Sequence, residues 1–400
     1  MVMLSLSMIV RNEEARLAAC LASVRGFVDE MVVLDTGSDD NTIAIAEASG
    51  ARVEQIPWPG DFAPARNTAL EMLNGDWVLV LDADEQLRSE AIPELQRLMG
   101  DPNVVVINLL RFEVGAAMAP YSSVSRLFRK HPAIQWSRAY HSMIDDSVEE
   151  LLKSESQWRV VDCAEPALFH TGYRPEQLIA GNKANRLREA MEAELASKPG
   201  DPYACAKLGG LEVDQGNTTR GLALLEMGLE HCQGDQHRER YELLLHLGIA
   251  NSSNKPEEAE RYYRLALAEP LSPQVLVGAR LNLGALLLRL NKLAEATEVT
   301  AAVTRQLPEV MLGWYNLGLI QRKAGDIGGA IEAYQSGLQL DPNSPELHQN
   351  LGAAQLAGGN FEAARSSFLM AIGLLLQQNR KDDAEALARS AGELVNLNAA

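Results

Sequence analysis

Uninterrupted apolar runs alternate with helical stretches in the first half of the chain. Leu4–Val10, Met31–Leu34 and Trp77–Leu81 are apolar without polar alternation, which is typical of parallel strands covered on both faces. Strand–helix alternation predicts βαβ units and a mostly parallel, Rossmann-like sheet. The other predicted strands are Arg52–Ile56, Val104–Phe112, Ser125–Arg129 and Trp158–Val161, and the predicted helices between the first strands are Glu13–Val24, Thr42–Ser49 and Ala65–Leu73.

From about residue 182 the apolar positions take a helical period, and the pattern repeats. The glycines of three Leu-Gly pairs recur at intervals of 34 residues: Gly284, Gly318 and Gly352. A helix–turn–helix repeat of this length is the tetratricopeptide (TPR) signature, and an aromatic residue such as Tyr334 follows at its expected place. Two weaker copies precede, at Gly209 and Gly248. Stacked helix pairs present a concave groove to a partner or to a second copy of the chain.

The change of period divides the chain into regions. We predict an α/β domain over residues 1–195, an all-α domain of about five TPR-type repeats over 196–378, and a C-terminal capping helix over 379–400. Two or three domains also suit a length of 400 residues, because most domains contain about 100–200 residues.

Composition narrows the classes of partner. Lys and Arg number 36 against 54 Asp and Glu, so the net charge is −18, and nucleic acid and anionic membrane surfaces repel such a chain. No apolar stretch is long enough to span a membrane, and the short apolar N-terminus reads as a buried strand. The four cysteines form no CxxC pair, so neither a disulfide framework nor a zinc site is indicated. We therefore predict a cytoplasmic protein.

Acidic residues follow two of the predicted strands directly. Asp35 ends the second apolar run, and Asp82 and Asp84 follow Trp77–Leu81. Ligands bind at the carboxyl edge of open parallel sheets, and carboxylates brought together there repel each other unless a cation joins them. Mg²⁺ or Mn²⁺ suits oxygen ligands and commonly binds substrate phosphates as well.

Four ordered blocks of the first domain resemble a known family. They are Leu6–Glu14, Val33–Thr42, Asp61–Asn67 and Gly75–Glu85. Together they resemble the family 2 glycosyltransferases of the GT-A fold, in particular those with C-terminal TPR repeats. The resemblance implies transfer with inversion from a nucleotide-diphosphate sugar, a UDP-sugar in the first instance. It also implies a divalent metal held by the D-x-D residues.

The resemblance also assigns residues to the donor site. It places Asn12 and Glu13 beside the nucleotide, Asp35 at the base or ribose, and Arg66 near the base. Arg126 contacts a phosphate or is plain surface charge; the sequence leaves both readings open.

The metal site follows from the same blocks and one later motif. The resemblance implies that Asp82 contacts the ribose or the metal and that Asp84 ligates the metal. His170, in the block Phe169–Tyr173, either completes the metal or phosphate site or is an ordinary core histidine.

The general base is where the chain departs from the family. Relatives usually carry His-Glu where this sequence has His141-Ser142. Inversion requires a base within hydrogen-bond reach of the acceptor, so Asp145, Asp146 or His141 itself has to take that role.

Three functions remain open from the sequence. The first is a metal-dependent glycosyltransferase whose repeat groove recruits a peptide or protein acceptor, or pairs two subunits in a homodimer. The second, favoured by Ser142, is a degenerate transferase domain that serves as an adaptor. The third, a nucleotidyltransferase, would need a Gly-rich basic loop where the chain has Arg11–Glu14.

Overall fold

The computed structural model describes residues 2–114, 120–138, 142–171 and 183–395. The chain divides into two compact units, Met1–Ala204 and Cys205–Ala400. The first is built on a sheet and the second consists of helices, so the predicted fold class, an α/β domain followed by all-α repeats, is confirmed. No helix in the described part of the chain is long and apolar enough to cross a bilayer.

The strands of the first unit form one mixed sheet. They are β1 (Leu4–Val10), β2 (Glu30–Asp35), β3 (Arg52–Gln55), β4 (Trp77–Val80), β5 (Glu85–Leu87), β6 (Val104–Glu113), β7 (Tyr121–Arg129) and β8 (Arg159–His170). Their order is β3-β2-β1-β4-β7-β6-β8-β5. The first four pair in parallel, as the βαβ pattern predicts. β7 is antiparallel to β4 and β6, and β8 is parallel to β6 and antiparallel to β5.

Apolar side chains cover both faces of this sheet. Alternate residues of a strand point to opposite faces, and in β4 Trp77 and Leu79 join one core cluster while Val78 and Val80 join the other. This is why the β4 run shows no polar alternation. The helices of this unit are α1 (Leu17–Val24), α2 (Thr42–Ala48), α3 (Phe62–Glu71), α4 (Ile92–Met99), α5 (Asp145–Ser154) and α6 (Lys183–Ser197).

Helix pairs make up the second unit. They are α7 (Pro202–Asp214), α8 (Thr218–His231), α9 (His237–Asn251), α10 (Pro256–Leu267), α11 (Val277–Arg289), α12 (Leu293–Gln306), α13 (Met311–Ala324), α14 (Ile327–Leu340), α15 (Pro345–Ala357), α16 (Phe361–Gln377) and α17 (Lys381–Gly392). The first of these helices begins within the first unit.

One close contact explains the repeated glycine. A Cβ at Gly318 would lie 2.5 Å from Cε1 of Tyr334, and one at Gly248 would lie 2.3 Å from Cε1 of Tyr263. The same contact recurs in the other copies: Gly209 with Leu225, Gly284 with Thr300 and Gly352 with Phe368. The glycine therefore lets the two helices of a repeat approach closely, also in the copies whose sequence match is weak.

Candidate active site

Two acidic segments leave the sheet at the carboxyl edge of its parallel strands. β1 pairs with β2 as far as Asp35 and with β4 as far as Val80. Asp82 and Asp84 follow β4 directly. These two residues and Asp35 therefore lie at the same edge, on either side of β1, where open α/β sheets bind ligands.

Asp82 is held between two arginines. Its Oδ1 accepts a hydrogen bond of 2.7 Å from Arg66, and its Oδ2 accepts one of 2.6 Å from Arg126. Burial raises the pKa of Asp82, but the guanidinium groups of Arg126 and Arg66 outweigh it and hold that pKa well below its usual range. The sequence predicts that a bound cation neutralises the clustered carboxylates; for Asp82, two arginine side chains do so. The Arg126 side chain is 12% exposed, which excludes the surface-charge reading.

The block around Arg66 also fixes the loop that covers it. α3 begins at Phe62, after Asp61, whose side chain accepts the backbone N–H of Ala63. Asn67 donates to the carbonyl of Trp136 at 3.0 Å and accepts from its backbone N–H at 2.8 Å. The Trp136 ring then lies 4.8 Å from the Arg66 guanidinium carbon, an arrangement that stabilises a cation on an aromatic face.

Asp84 faces His170. The Oδ2 of Asp84 is 3.3 Å from Nε2 of His170 and 3.7 Å from Nη1 of Arg16. The register of β5 with β8 places His170 opposite Glu85, the residue after Asp84. The structure thus brings Asp84 and His170 together. Asp82, the third residue named for the metal, is engaged by Arg66 and Arg126 instead.

Two opposing effects determine the pKa values of Asp84 and His170: their burial and the contact between their side chains. Burial raises the pKa of Asp84, and the hydrogen bond to His170 lowers it below the usual range. Burial lowers the pKa of His170, but its hydrogen bonds to Asp84 and Glu113 raise that pKa to about 9.

Three charged residues that the sequence analysis did not single out extend this site. Arg111 donates from Nη1 to Glu85 at 2.8 Å and from Nε to Glu113 at 2.9 Å. The second oxygen of Glu113 contacts Nδ1 of His170. Glu85 is fully buried and Glu113 is 4% exposed. The sequence signal that could have identified these residues is the presence of charged residues within the apolar run of β6, since a buried charge requires a partner.

Asp35 leaves one carboxylate oxygen free. Its Oδ1 accepts the backbone N–H groups of Gly37 at 2.9 Å and Ser38 at 3.0 Å. Its Oδ2 is buried and has no hydrogen-bond partner among the described residues. A buried acceptor left without a donor is costly, so this atom marks a place where a ligand donor fits.

Asn12 and Glu13 join the loops that follow β1 and β2. Asn12 adopts a positive φ of 56°, and its side chain accepts from the backbone N–H of Asp39 at 2.9 Å. Glu13 contacts Arg16 at 2.7 Å, and Arg16 in turn lies beside Asp84. Asn12 therefore shapes the edge, while Glu13 connects it to the acidic turn after β4.

The candidate bases fall into different environments. Asp145 accepts a hydrogen bond of 2.9 Å from Ser125, the residue before Arg126. Asp146 accepts from Nε of Arg138 at 3.1 Å and from Nη2 at 3.0 Å. Burial raises the pKa of Asp146, but these contacts lower it overall. His141 lies outside the described residues.

No group of three or more His, Cys, Asp or Glu side chains in the described ranges forms a complete metal site by itself. The donors that come together are Asp84 and His170, a pair.

Comparison with known proteins gives two family matches. The model of Glycosyl transferase family 2 matches residues 5–156, and that of the TPR repeat matches residues 318–359. A TPR repeat-containing protein of Synechococcus elongatus is 41% identical over 379 residues, 94% of each chain. An uncharacterized glycosyltransferase of Rickettsia felis is 31% identical over 191 residues, which are 46% of this chain and 66% of that protein.

Among solved structures, one similar chain is glucosyl-3-phosphoglycerate synthase from Mycobacterium tuberculosis. That protein was solved in complex with Mn²⁺, uridine-diphosphate and phosphoglyceric acid. It is 18% identical, with a TM-score of 0.36, and the match covers 46% of this chain and 76% of that one.

Proposed function

Because the chain belongs to glycosyl transferase family 2 through its first domain and carries TPR repeats in its second, we propose that it is a metal-dependent, inverting glycosyltransferase. It moves a sugar from a nucleotide-diphosphate sugar, a UDP-sugar in the first instance, to a peptide or protein acceptor. The observation that carries the proposal is that two acidic residues at one edge of the sheet have different partners. Asp82 is neutralised by Arg66 and Arg126, while Asp84 faces His170.

A divalent cation fits beside Asp84 and His170. Their facing atoms are 3.3 Å apart, and carboxylate oxygen and imidazole nitrogen are both ligands for Mn²⁺-type ions. Two protein donors suffice where substrate phosphates and water complete the coordination. Asp82 retains lone pairs beyond those the arginines use, so it contacts the ribose or the metal. When bound, the cation offsets the charge that develops on the leaving diphosphate.

The protein's own side chains prepare the donor site. The free oxygen of Asp35 accepts a hydrogen bond from the base or the ribose. Arg66 and Arg126, fixed by Asp82, present cationic edges to the nucleotide and its phosphates without having to reorganise. Asn12 keeps the neighbouring loops in place.

The acceptor proton requires a base, for which the structure favours Asp145. Asp146 is committed to Arg138, which stabilises its ionised form and makes it a weaker base. Within the described residues, Asp145 accepts a hydrogen bond from one hydroxyl group, that of Ser125. His141 remains the alternative.

We assign transfer to residues 1–195, acceptor recruitment to the helical repeats of 196–378, and capping of the repeats to 379–400. Stacked helix pairs suit an extended peptide, since successive repeats supply a continuous surface.

A second candidate function is that of an adaptor with a catalytically weak first domain. The observation in its favour is that the arginines already engage both oxygens of Asp82, while Ser142 replaces the expected glutamate. An adaptor would bind a protein through the repeats and release no nucleotide.

The two functions differ in a measurable product. Incubation with a panel of nucleotide sugars should release nucleoside diphosphate with Mn²⁺ present and not with a chelator. We expect Asp84→Asn to reduce the release by about 100-fold or more, the size of effect seen when a preorganised electrostatic group is lost. Asp383→Asn, at an exposed position of α17, is the matched control. Absence of release and of donor binding would favour the adaptor.

A further inference from the structure

His170 is flanked by acidic residues on both neighbouring strands. β8 lies between β6 and β5, and the register places His170 opposite Glu113 on β6 and opposite Glu85 on β5. The ring uses Nδ1 toward Glu113 and Nε2 toward Asp84. Its two nitrogens therefore face different carboxylates, only one of which belongs to the D-x-D turn.

Glu113 is well placed to fix this ring. It is 4% exposed, and its other oxygen accepts from Nε of Arg111 at 2.9 Å and from Oγ of Ser122 at 2.5 Å. Because Arg111 and Ser122 hold that oxygen, Glu113 cannot swing away from the histidine. A carboxylate behind one imidazole nitrogen determines which nitrogen faces a metal and in which direction.

We propose that Glu113 is a positioning residue that holds the ring of His170 so that Nε2 is directed at the cation beside Asp84. The inference rests on the proposed function and adds to it a residue outside the four blocks of the resemblance. Glu113 does not touch the donor; it acts through His170.

The alternative is that the contact between Glu113 and His170 only stabilises the sheet. Arg111 pairs with both Glu113 and Glu85, and the backbone register alone brings β6 and β8 into contact. The Arg111 ion pairs and the pairing of β6 with β8 do not require the contact between Glu113 and Nδ1 of His170. Loss of that contact should therefore affect metal binding more than folding.

The test measures Mn²⁺ affinity by electron paramagnetic resonance of the free ion, on the full chain with and without UDP, whose phosphates can complete the coordination. Glu113→Leu removes the acceptor for Nδ1, and we expect the dissociation constant to rise by about 10–100-fold, as for other residues that support a metal-binding histidine. Glu113→Gln keeps an oxygen acceptor and should lose less. Ser122→Ala removes one partner of Glu113 but leaves Arg111 and the contact with His170 in place, and should weaken Mn²⁺ binding less than either substitution of Glu113.

The outcomes separate this inference from the function it rests on. If the unmodified chain binds Mn²⁺ and Glu113→Leu binds it equally well, Glu113 has no positioning role. If the unmodified chain binds no Mn²⁺ either with or without UDP, the metal-dependent function itself fails, and this inference with it. Thermal unfolding identifies variants that do not fold. Should Glu113→Leu be among them, Glu113→Gln must weaken Mn²⁺ binding more than Ser122→Ala does, and equal binding in these two overturns the proposal.

Discussion

The two units differ in the contacts that their charged and small residues make. In the α/β unit, charged side chains enter the interior and alternate in sign, as where Arg111 joins the buried Glu85 to Glu113. In the helical unit, the ion pairs with Arg264 lie at the surface, where its side chain is 45% exposed. Its helices pack through apolar clusters, and a glycine allows the two helices of a pair to approach closely, as Gly318 does at Tyr334.

This difference teaches which changes each unit can tolerate. A buried charge without its partner is costly, so the α/β unit depends on completeness of the network. The repeat contact depends on shape, because a close-packed interior has no room for additional atoms. The α/β unit gathers its charges at one edge of the sheet, while the ion pairs of Arg264 in the repeats lie at the surface.

Arg111→Met tests the comparison with the largest expected effect. It leaves the carboxylates of Glu85 and Glu113 buried without their shared partner, and we expect a loss of about 3–5 kcal/mol in the free energy of unfolding. Arg264→Met, which removes exposed pairs, should cost less than about 1 kcal/mol. Urea unfolding of Arg111→Met is followed by tryptophan fluorescence, which reports mainly on the first unit because four of the five tryptophans lie in residues 1–204; that of Arg264→Met is followed by helical circular dichroism, which reports on the second. Equal losses for the two variants would contradict the contrast.

Gly318→Ala should have the next largest effect, in the helical unit. Its Cβ would meet the Tyr334 ring at 2.5 Å, and overpacking of this kind costs about 1–3 kcal/mol. Gly373→Ala is the matched control, because a Cβ there meets nothing within 4 Å and alanine stabilises a helix interior by about 0.5–1 kcal/mol relative to glycine. Urea unfolding followed by helical circular dichroism should therefore give opposite signs. If both variants lost stability, helix geometry and not the contact with Tyr334 would explain why glycine occupies this position.

The smallest expected effect concerns pH. The pKa of Asp146 is lowered in the folded chain, so its ion pair with Arg138 contributes stability that is present above the unfolded pKa, near 3.8. That contribution is lost as the pH falls through the still lower folded pKa. The difference in unfolding free energy between the unmodified chain and Asp146→Asn should therefore shrink on acidification below about pH 4.

Salt sharpens the same measurement. The Arg138 side chain is 8% exposed, so the effect of Asp146→Asn at neutral pH should persist at high salt. Glu295→Gln, which removes a contact between two exposed side chains, its own and that of Arg264, should lose its effect there, because exposed charges are screened. If high salt removed both effects, the Asp146–Arg138 pair would be screened by salt like the surface pairs.

Local patterns in the sequence were sufficient for much of the fold. β1 was predicted at its observed bounds, and β2, β3 and β4 within one residue, because continuous apolar runs between turn residues report burial on both faces. β8 extends to His170, although only Trp158–Val161 was predicted. Its polar residues and Pro166 interrupt the pattern, and its pairing with β6 shifts register there. β5, three residues long, was not predicted at all.

The site was less accessible to sequence reasoning. The acidic turns could be placed at the sheet edge, because strand direction follows from the βαβ pattern. The partners of those acids could not, because Arg126 lies 44 residues from Asp82, and Glu113 lies 57 residues from His170. Such contacts depend on which strands become neighbours, and β7 and β8 enter the sheet out of chain order.

The sequence by itself determined the two kinds of architecture, the repeat length and the acids at strand ends, since each is written in the spacing of neighbouring residues. Only the tertiary structure decided that Asp82 is neutralised by arginines while Asp84 faces a histidine. Which charged side chains pair depends on their distance in space once the strands have paired. The local periodicity of the chain does not determine that distance.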